Sequence, residues 1–343
     1  MRQWILKANA RYLDDLVLVE KDVPEPGPGF VRIKMHAVSL NFRDVVIMRN
    51  DVGMGVKRDT IPLSDGVGVV DAIGQNVTKW HKGERIVTNL YAGWKDGAIT
   101  AQLDSGLGSQ DIDGTLGEYV LIPEDRLMKA PRSLSDEEAA TLPCAGLTAW
   151  SALHGNRPYL FTPQKKQKIL LLGTGGLSLM AINMVKAMGC DVYITTGQNE
   201  KIDHLYTMGV KGVFNYRENS QWGEAVYDKT QGGVDLVMNN AGLDSIDQAV
   251  AALKYGGVMS LVGAKEQANI APNLLAIIRK NITIFSVLTG SQAAYQDYIQ
   301  FIDDHNVRSP IATVLEFEKA REAYEHVINA DLLGKVVLRI AHV

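Results

Sequence analysis

The residues best equipped for chemistry in this 343-residue chain are Gly173, Thr174, Gly175, Gly176, Leu177 and Ser178. They follow an unbroken apolar run at 169–172 and precede a stretch where Leu179, Met180, Ile182, Met184, Val185 and Met188 recur at helical spacing, closed by Gly189 as a left-handed cap. A strand buried on both faces needs such a run. Gly173 and Gly175 permit a tight turn with close backbone approach, and a helix starting there directs free N–H groups at an anion. The pattern points to a pyrophosphate, and so to a dinucleotide. Ser178 stands where the G-x-G-x-x-G fingerprint has its third glycine, and its small side chain is expected to fit against the strand.

The end of the next strand bears on which dinucleotide. An NAD site places Asp or Glu about 20 residues after the glycines, to bond the ribose 2′-hydroxyl. Here the run at 191–196 ends Thr195, Thr196, Gly197, with no acid. A missing carboxylate removes repulsion against a 2′-phosphate, and Lys201, Tyr216 and Arg217 supply positive charge and a hydroxyl donor. NADP(H) is therefore the expected cofactor. The competing reading makes Lys201 a solvated helix residue and Tyr216 a strand-end packing residue, and Glu200 opposes the charge argument.

Holding these residues in place requires a sheet. Short apolar or β-branched runs at 191–196, 212–216, 234–240, 257–263 and 281–288 alternate with helical patterns, which with 169–172 predicts six strands of a parallel, doubly wound α/β sheet. Its ligand is expected beyond the C-terminal strand ends, at the switch point. The first 125 or so residues differ: segments 31–40, 66–74, 84–89 and 116–123, broken by Gly, Pro and Asp, suggest a mostly antiparallel β domain. Helical stretches at 293–305 and 317–329 and the terminal GKVVLRI follow the last sheet strand, so they are expected to rejoin that domain. The chain thus divides into 1–128 with 292–343, and 129–291, with the active site expected in the cleft between them.

A net charge of −4 gives no reason to expect nucleic acid or a membrane surface as partner. No apolar run approaches the ~20 residues of a membrane span, and the N-terminus lacks a signal-peptide pattern. Cys144 and Cys190, the only cysteines, form no disulfide framework, and a reducing cytoplasm is the expected setting.

Along nearly its whole length the chain resembles the medium-chain dehydrogenase/reductase superfamily. NFRD, PLSDGVGVV, GERIV, GTLGEYV, LPCAGLTAW, GTGGLSLMA, NYRE and LGKVVL occur in the family's order, and the zinc-less quinone-oxidoreductase branch is the most similar. The resemblance implies a Rossmann domain and a GroES-like catalytic domain. Zinc enzymes of the superfamily use a Cys, a His in Gly-His-Glu, and a second Cys; the matching places here hold Asn41, Ser64 with Asp65, and Cys144. Asn and Ser are poor zinc ligands, and residues 86–117, where a structural zinc lobe would lie, contain no cysteine. A metal-free site is expected, with Cys144 a small buried residue at a helix start.

Hydride transfer without a metal favours a quinone or an α,β-unsaturated carbonyl as small-molecule acceptor, because the developing charge falls on a conjugated oxygen that hydrogen bonds can hold. The Asn41 amide, beside Arg43 and Asp44, is the candidate for orienting the acceptor or the nicotinamide ribose; the alternative is a turn-forming Asn bonded to its own backbone. The protons can come from water or a hydroxyl relay. Tyr91 and Trp94 either line the acceptor pocket or are surface or interface aromatics. The resemblance brings Thr148 to the nicotinamide, Asn240, Val262 and Gly263 to the ribose and ring, Leu288 and Thr289 to the end of the last sheet strand, and Gly334 with Lys335 from the terminal segment. Asn41, Asp44 and Thr148 form the expected catalytic set. The branch often meets the 2′-phosphate with an Arg shortly before the terminal glycine; Asn329, Ala330 and Asp331 stand here instead, which leaves Lys201, Tyr216 and Lys335 for that task. Two other functions stay open: a zinc-independent alcohol or aldehyde oxidoreductase, and a non-enzymatic NADP(H)-binding sensor. A homodimer through the edge strand at 282–288 is the expected assembly.

Overall fold

The computed structural model describes residues 1–101, 103–263, 271–330 and 332–340. Asp331 lies outside them. Contacts divide the chain into two compact units, 1–146 with 295–343, and 147–294.

The first unit opens with the hairpin β1 (Arg2–Leu6) and β2 (Leu16–Glu20). Next come β3 (Phe30–Ser39), helix α1 (Phe42–Arg49), β4 (Asp65–Ile73), β5 (Arg85–Thr88), β6 (Tyr119–Pro123), β7 (Leu127–Lys129) and the short helix α2 (Asp136–Ala139). The alternation read in the sequence is realised in β3, where Val31, Ile33 and Met35 are fully buried between more exposed neighbours. β3 pairs antiparallel with β4 and β6, and β4 with β5, as expected.

The second unit begins with α3 (Leu147–His154) and continues through β8 (Lys168–Leu171), α4 (Gly176–Ala187), β9 (Asp191–Thr196), β10 (Gly212–Asn215), β11 (Val234–Asn239), β12 (Leu253–Val262) and β13 (Thr283–Val287). The order in the sheet is β10-β9-β8-β11-β12-β13, parallel throughout. This is the expected doubly wound arrangement, with its switch point between β8 and β11. β13 is an edge strand, as the sequence suggested.

The chain returns to the first unit within α5 (Gln292–His305), then adds β14 (Ile311–Glu316), a helix at Ala320–Asn329, and β15 (Lys335–Arg339). β14 was not anticipated; it pairs parallel with β15, which in turn pairs antiparallel with β3. The division falls at 146/147 rather than at 128/129. The reason is local: β7 pairs with β5, and Asp136 of α2 accepts from Arg85 Nε at 2.7 Å and faces His36 Nδ1 at 2.7 Å, which fastens 127–146 to the β unit. Among the described residues no helix is long and apolar enough to cross a membrane.

Candidate active site

Two groups of residues carry the chemistry, one in each unit. In the second unit, Gly173 turns at φ +71° directly after β8, and its N–H donates to Thr195 Oγ1 at 2.9 Å. Cβ atoms added at Gly173 or Gly175 would meet nothing within 4 Å, so the backbone there borders open space at the start of α4. Ser178 fits where the fingerprint has glycine: fully buried, it donates from Oγ to Leu172 O at 2.9 Å and accepts from Asn240 Nδ2 at 3.3 Å. The hydroxyl thus ties the glycine turn to the end of β11. Thr174, Gly176 and Leu177 are half-buried along the same turn.

At the end of β9, Thr196 O accepts from Tyr216 N at 3.0 Å, which draws the two strand ends together. A Cβ on Gly197 would lie 2.5 Å from the Tyr216 hydroxyl and 3.1 Å from Arg217 Nε, so both side chains close over Gly197. Lys201 is 8% exposed and therefore not a solvated helix residue. Val262 ends β12, Gly263 follows at φ +66° with open space around its Cβ position, and Leu288 is exposed just past β13. Gly290 packs against Leu147 and Ser151 of α3, which brings Thr148 and Thr289 onto neighbouring elements. Thr148 Oγ1 and Thr289 Oγ1 are buried without a hydrogen-bond partner among the described residues. Such orphans are costly unless a ligand completes them. Open backbone at the glycine turn and orphaned hydroxyls are what a dinucleotide would fill, so this unit fits NAD(P)(H).

In the first unit the sheet register builds the second group. Ser39 lies opposite both Asp65 on β4 and Val337 on β15, so Asn41, Ser64 and Lys335 leave the same end of three adjacent strands. Asn41 precedes α1 and makes no side-chain cap; instead Asp44 reaches back, Oδ2 accepting from Asn41 N at 2.7 Å. Lys335, 4% exposed, donates to Asn41 Oδ1 at 2.6 Å and to Leu40 O at 2.5 Å. The fully buried Asp65 accepts from Ser64 Oγ at 2.8 Å and from Cys144 N at 3.1 Å. Burial raises its carboxyl, and the charge of Lys335 opposes that shift; burial lowers the Lys335 ammonium, and Asp65 opposes that in turn. Asn41 Nδ2 faces the Asp65 carboxylate and draws its carboxyl down against the raising effect of burial, although among the described residues it meets no acceptor in full hydrogen-bond geometry.

Three expectations change here. Lys335, expected to reach a 2′-phosphate, is instead buried and bonded to Asn41. Asp44, expected in the catalytic set, is 2% exposed and holds the Asn41 backbone. Tyr91 and Trp94 are buried rather than surface aromatics, and the Trp94 indole donates within its own loop to Gly97 O at 3.0 Å. That loop is fastened by two arginines: Arg43 donates to Leu107 O and Ser105 O, both at 2.8 Å, while Arg126 bonds Leu90 O at 2.9 Å and pairs with Asp104. The Asp65–Lys335 pair went unread in the sequence. Its one signal was a carboxylate opening an otherwise apolar strand, DGVGVV.

The donor set does not suit zinc. An amide oxygen, a hydroxyl bonded to Asp65 and a thiol that burial pushes up to about 12 surround an ammonium, which is itself a cation and only donates.

Residues 27–132 match the family described as alcohol dehydrogenase GroES-like domain, and residues 176–304 that described as zinc-binding dehydrogenase. A zinc-type alcohol dehydrogenase-like protein of Schizosaccharomyces pombe is 33% identical over 334 residues, covering 95% of this chain and 96% of its own. The NADP-dependent alcohol dehydrogenase C of Mycobacterium tuberculosis is 25% identical over 336 residues, covering 92% of each. Among solved structures, a candidate alcohol dehydrogenase from Sinorhizobium meliloti 1021 superposes with a TM-score of 0.87 at 30% identity, covering 99% of this chain and 100% of that one.

Proposed function

Because the chain belongs to the medium-chain dehydrogenase/reductase superfamily, and is an oxidoreductase of that family, we propose that it is a zinc-independent, NADPH-dependent reductase of quinones or α,β-unsaturated carbonyls. The observation that carries the reading is Lys335 Nζ, seated 2.6 Å from Asn41 Oδ1 where zinc relatives converge their ligands. With a cation of its own chain there, the site polarises an acceptor through hydrogen bonds.

NADPH, when bound, supplies the hydride. The glycine turn at 173–178 holds the pyrophosphate, with Ser178 and Asn240 fixing its shape. Tyr216 and Arg217 over Gly197 receive the 2′-phosphate, and the absence of an acid there favours NADPH over NADH. Thr148 and Thr289 offer the orphaned hydroxyls to the nicotinamide end. Asn41 Nδ2 is the free donor for the acceptor oxygen, and the proton reaches the reduced acceptor from water. β13, with Ile284 and Leu288 exposed, pairs with a second copy.

A panel of quinones, enones and aldehydes tests this, with NADPH consumption as readout. Turnover of quinones or enones, reduced at least tenfold in Asn41→Ala and unaffected by chelators, is the expected result. Turnover of alcohols and aldehydes alone would favour the alcohol or aldehyde oxidoreductase that the relatives' names suggest. Tight NADPH binding with no turnover would point to a sensor, and stoichiometric zinc in the purified protein would overturn the metal-free part.

A further inference from the structure

Lys335 makes a bond that fixes the chemistry of Asn41. An ammonium has three donors and no acceptor, so the group facing it must be an oxygen. An Asn amide has one face of each kind, and ordinarily its orientation is ambiguous. At 2.6 Å from Lys335 Nζ, Asn41 must present Oδ1, which turns Nδ2 and its two hydrogens away. Leu40 O takes a second ammonium hydrogen at 2.5 Å, and the fully buried Asp65 balances the charge. Asp44 fixes the other end of the residue by accepting from its backbone N–H at 2.7 Å. Main chain and side chain are therefore both held, while Nδ2 keeps an unfilled bond.

We propose that Lys335 is a positioning residue for the reduction: it locks the Asn41 amide with Oδ1 on the ammonium and Nδ2 turned from it, so that an N–H of Nδ2 donates to the acceptor oxygen on which negative charge develops. The inference rests on the functional reading above. A buried ammonium behind the amide oxygen also draws electron density from the nitrogen, which strengthens the donor as charge grows on its partner. Buried charges that act on one another contribute little net stability, and their best-attested use is to specify one arrangement among several. Here that arrangement is an amide that cannot flip. The rival account gives Lys335 only a packing and charge-balancing role toward Asp65, and it predicts no special effect on the rate of a folded variant.

The test uses the full chain. Lys335→Met removes the charge and keeps the bulk, and Lys335→Arg keeps the charge. Lys335→Met with Asp65→Asn removes both members of the pair, so that a balanced, folded protein is available even if the single variant is not. The expected result is a kcat with quinone or enone ten- to a hundredfold lower in Lys335→Met and in the double variant, an acceptor KM changed less than threefold, and an NADPH Kd, read by fluorescence, unchanged. An interaction made chiefly in the transition state lowers kcat without moving KM. Lys335→Arg recovers most of the rate, since charge and donor are restored. A folded Lys335→Met or double variant with kcat within threefold of wild type overturns the proposal, as does a loss that appears in NADPH affinity instead. Wild-type protein that reduces neither quinones nor enones would remove the functional reading itself, an outcome distinct from active wild type with an indifferent Lys335.

Discussion

Asp44 makes an unusually direct pH prediction. Its side chain is 2% exposed, and burial pushes the carboxyl from 3.8 up to about 7, against the pull of Arg43. A carboxyl raised in the native state contributes its stability when both states are protonated, below pH 3.8, and loses it as pH rises through about 7. At pH 5 roughly one unit of that difference is already in force, and at pH 8 roughly three, so at about 1.4 kcal/mol per unit the loss between them is on the order of 2 to 3 kcal/mol. Asp44→Asn keeps an oxygen for the Asn41 N–H and carries no charge to bury. Its stability relative to wild type should therefore improve by about that amount from pH 5 to pH 8. Asp65 titrates in both proteins, so its contribution largely cancels in the difference. Urea unfolding followed by tryptophan fluorescence at the two pH values gives the comparison, with Trp4, Trp80 and Trp94 reporting on the first unit. Equal differences at both pH values would refute the reasoning. A marked destabilisation of Asp44→Asn at pH 8 would show that Arg43 favours the carboxylate by more than burial disfavours it.

Two further outcomes follow from other parts of the molecule. Arg217→Ala should raise the KM for NADPH about tenfold, the scale of a charge-assisted contact, and leave that for NADH nearly unchanged; an equal effect on both cofactors would remove Arg217 from the 2′-phosphate. Ile284→Lys places a charge on the exposed edge strand β13 and should convert a dimer to monomers in sedimentation, whereas a wild-type protein that is monomeric at micromolar concentration would dispose of the edge-pairing idea.

The sequence was most legible where chemistry and local structure coincide. The glycine turn could be read because a buried strand, a φ +71° glycine and a helix start all depend on neighbours within a few residues. The replacement at Ser178 was also tractable, since a small hydroxyl beside a strand end has a carbonyl within reach, as Leu172 O provides. β14 escaped because its burial is only partial, so no clean alternation marks it, and it depends on parallel pairing with β15 for its identity. The boundary was misplaced for a related reason. Leu127–Lys129 gives a plausible domain edge in composition, but the hydrogen bonds of Asp136 to Arg85 and His36, which carry the first unit on to residue 146, join residues 51 and 100 positions apart.

Lys335 is the instructive case. A lysine after the terminal glycine looks like a cation waiting for a phosphate, because lysines are seldom buried and an exposed one needs an anion from outside. Gly334 changes that expectation. Its φ of +141°, with Pro310 O only 2.6 Å from where a Cβ would sit, presses the chain against its neighbour, and Lys335 N then donates to Pro310 O at 2.7 Å. The next side chain is carried inward to Asn41, 294 residues away in sequence, where an oxygen and a buried carboxylate are already in place. The same residue type therefore bonds an amide and a carbonyl of its own chain. What decides between these roles is the register of β15 on β3, a property of pairing between distant strands and not of the residues at 334–335 themselves.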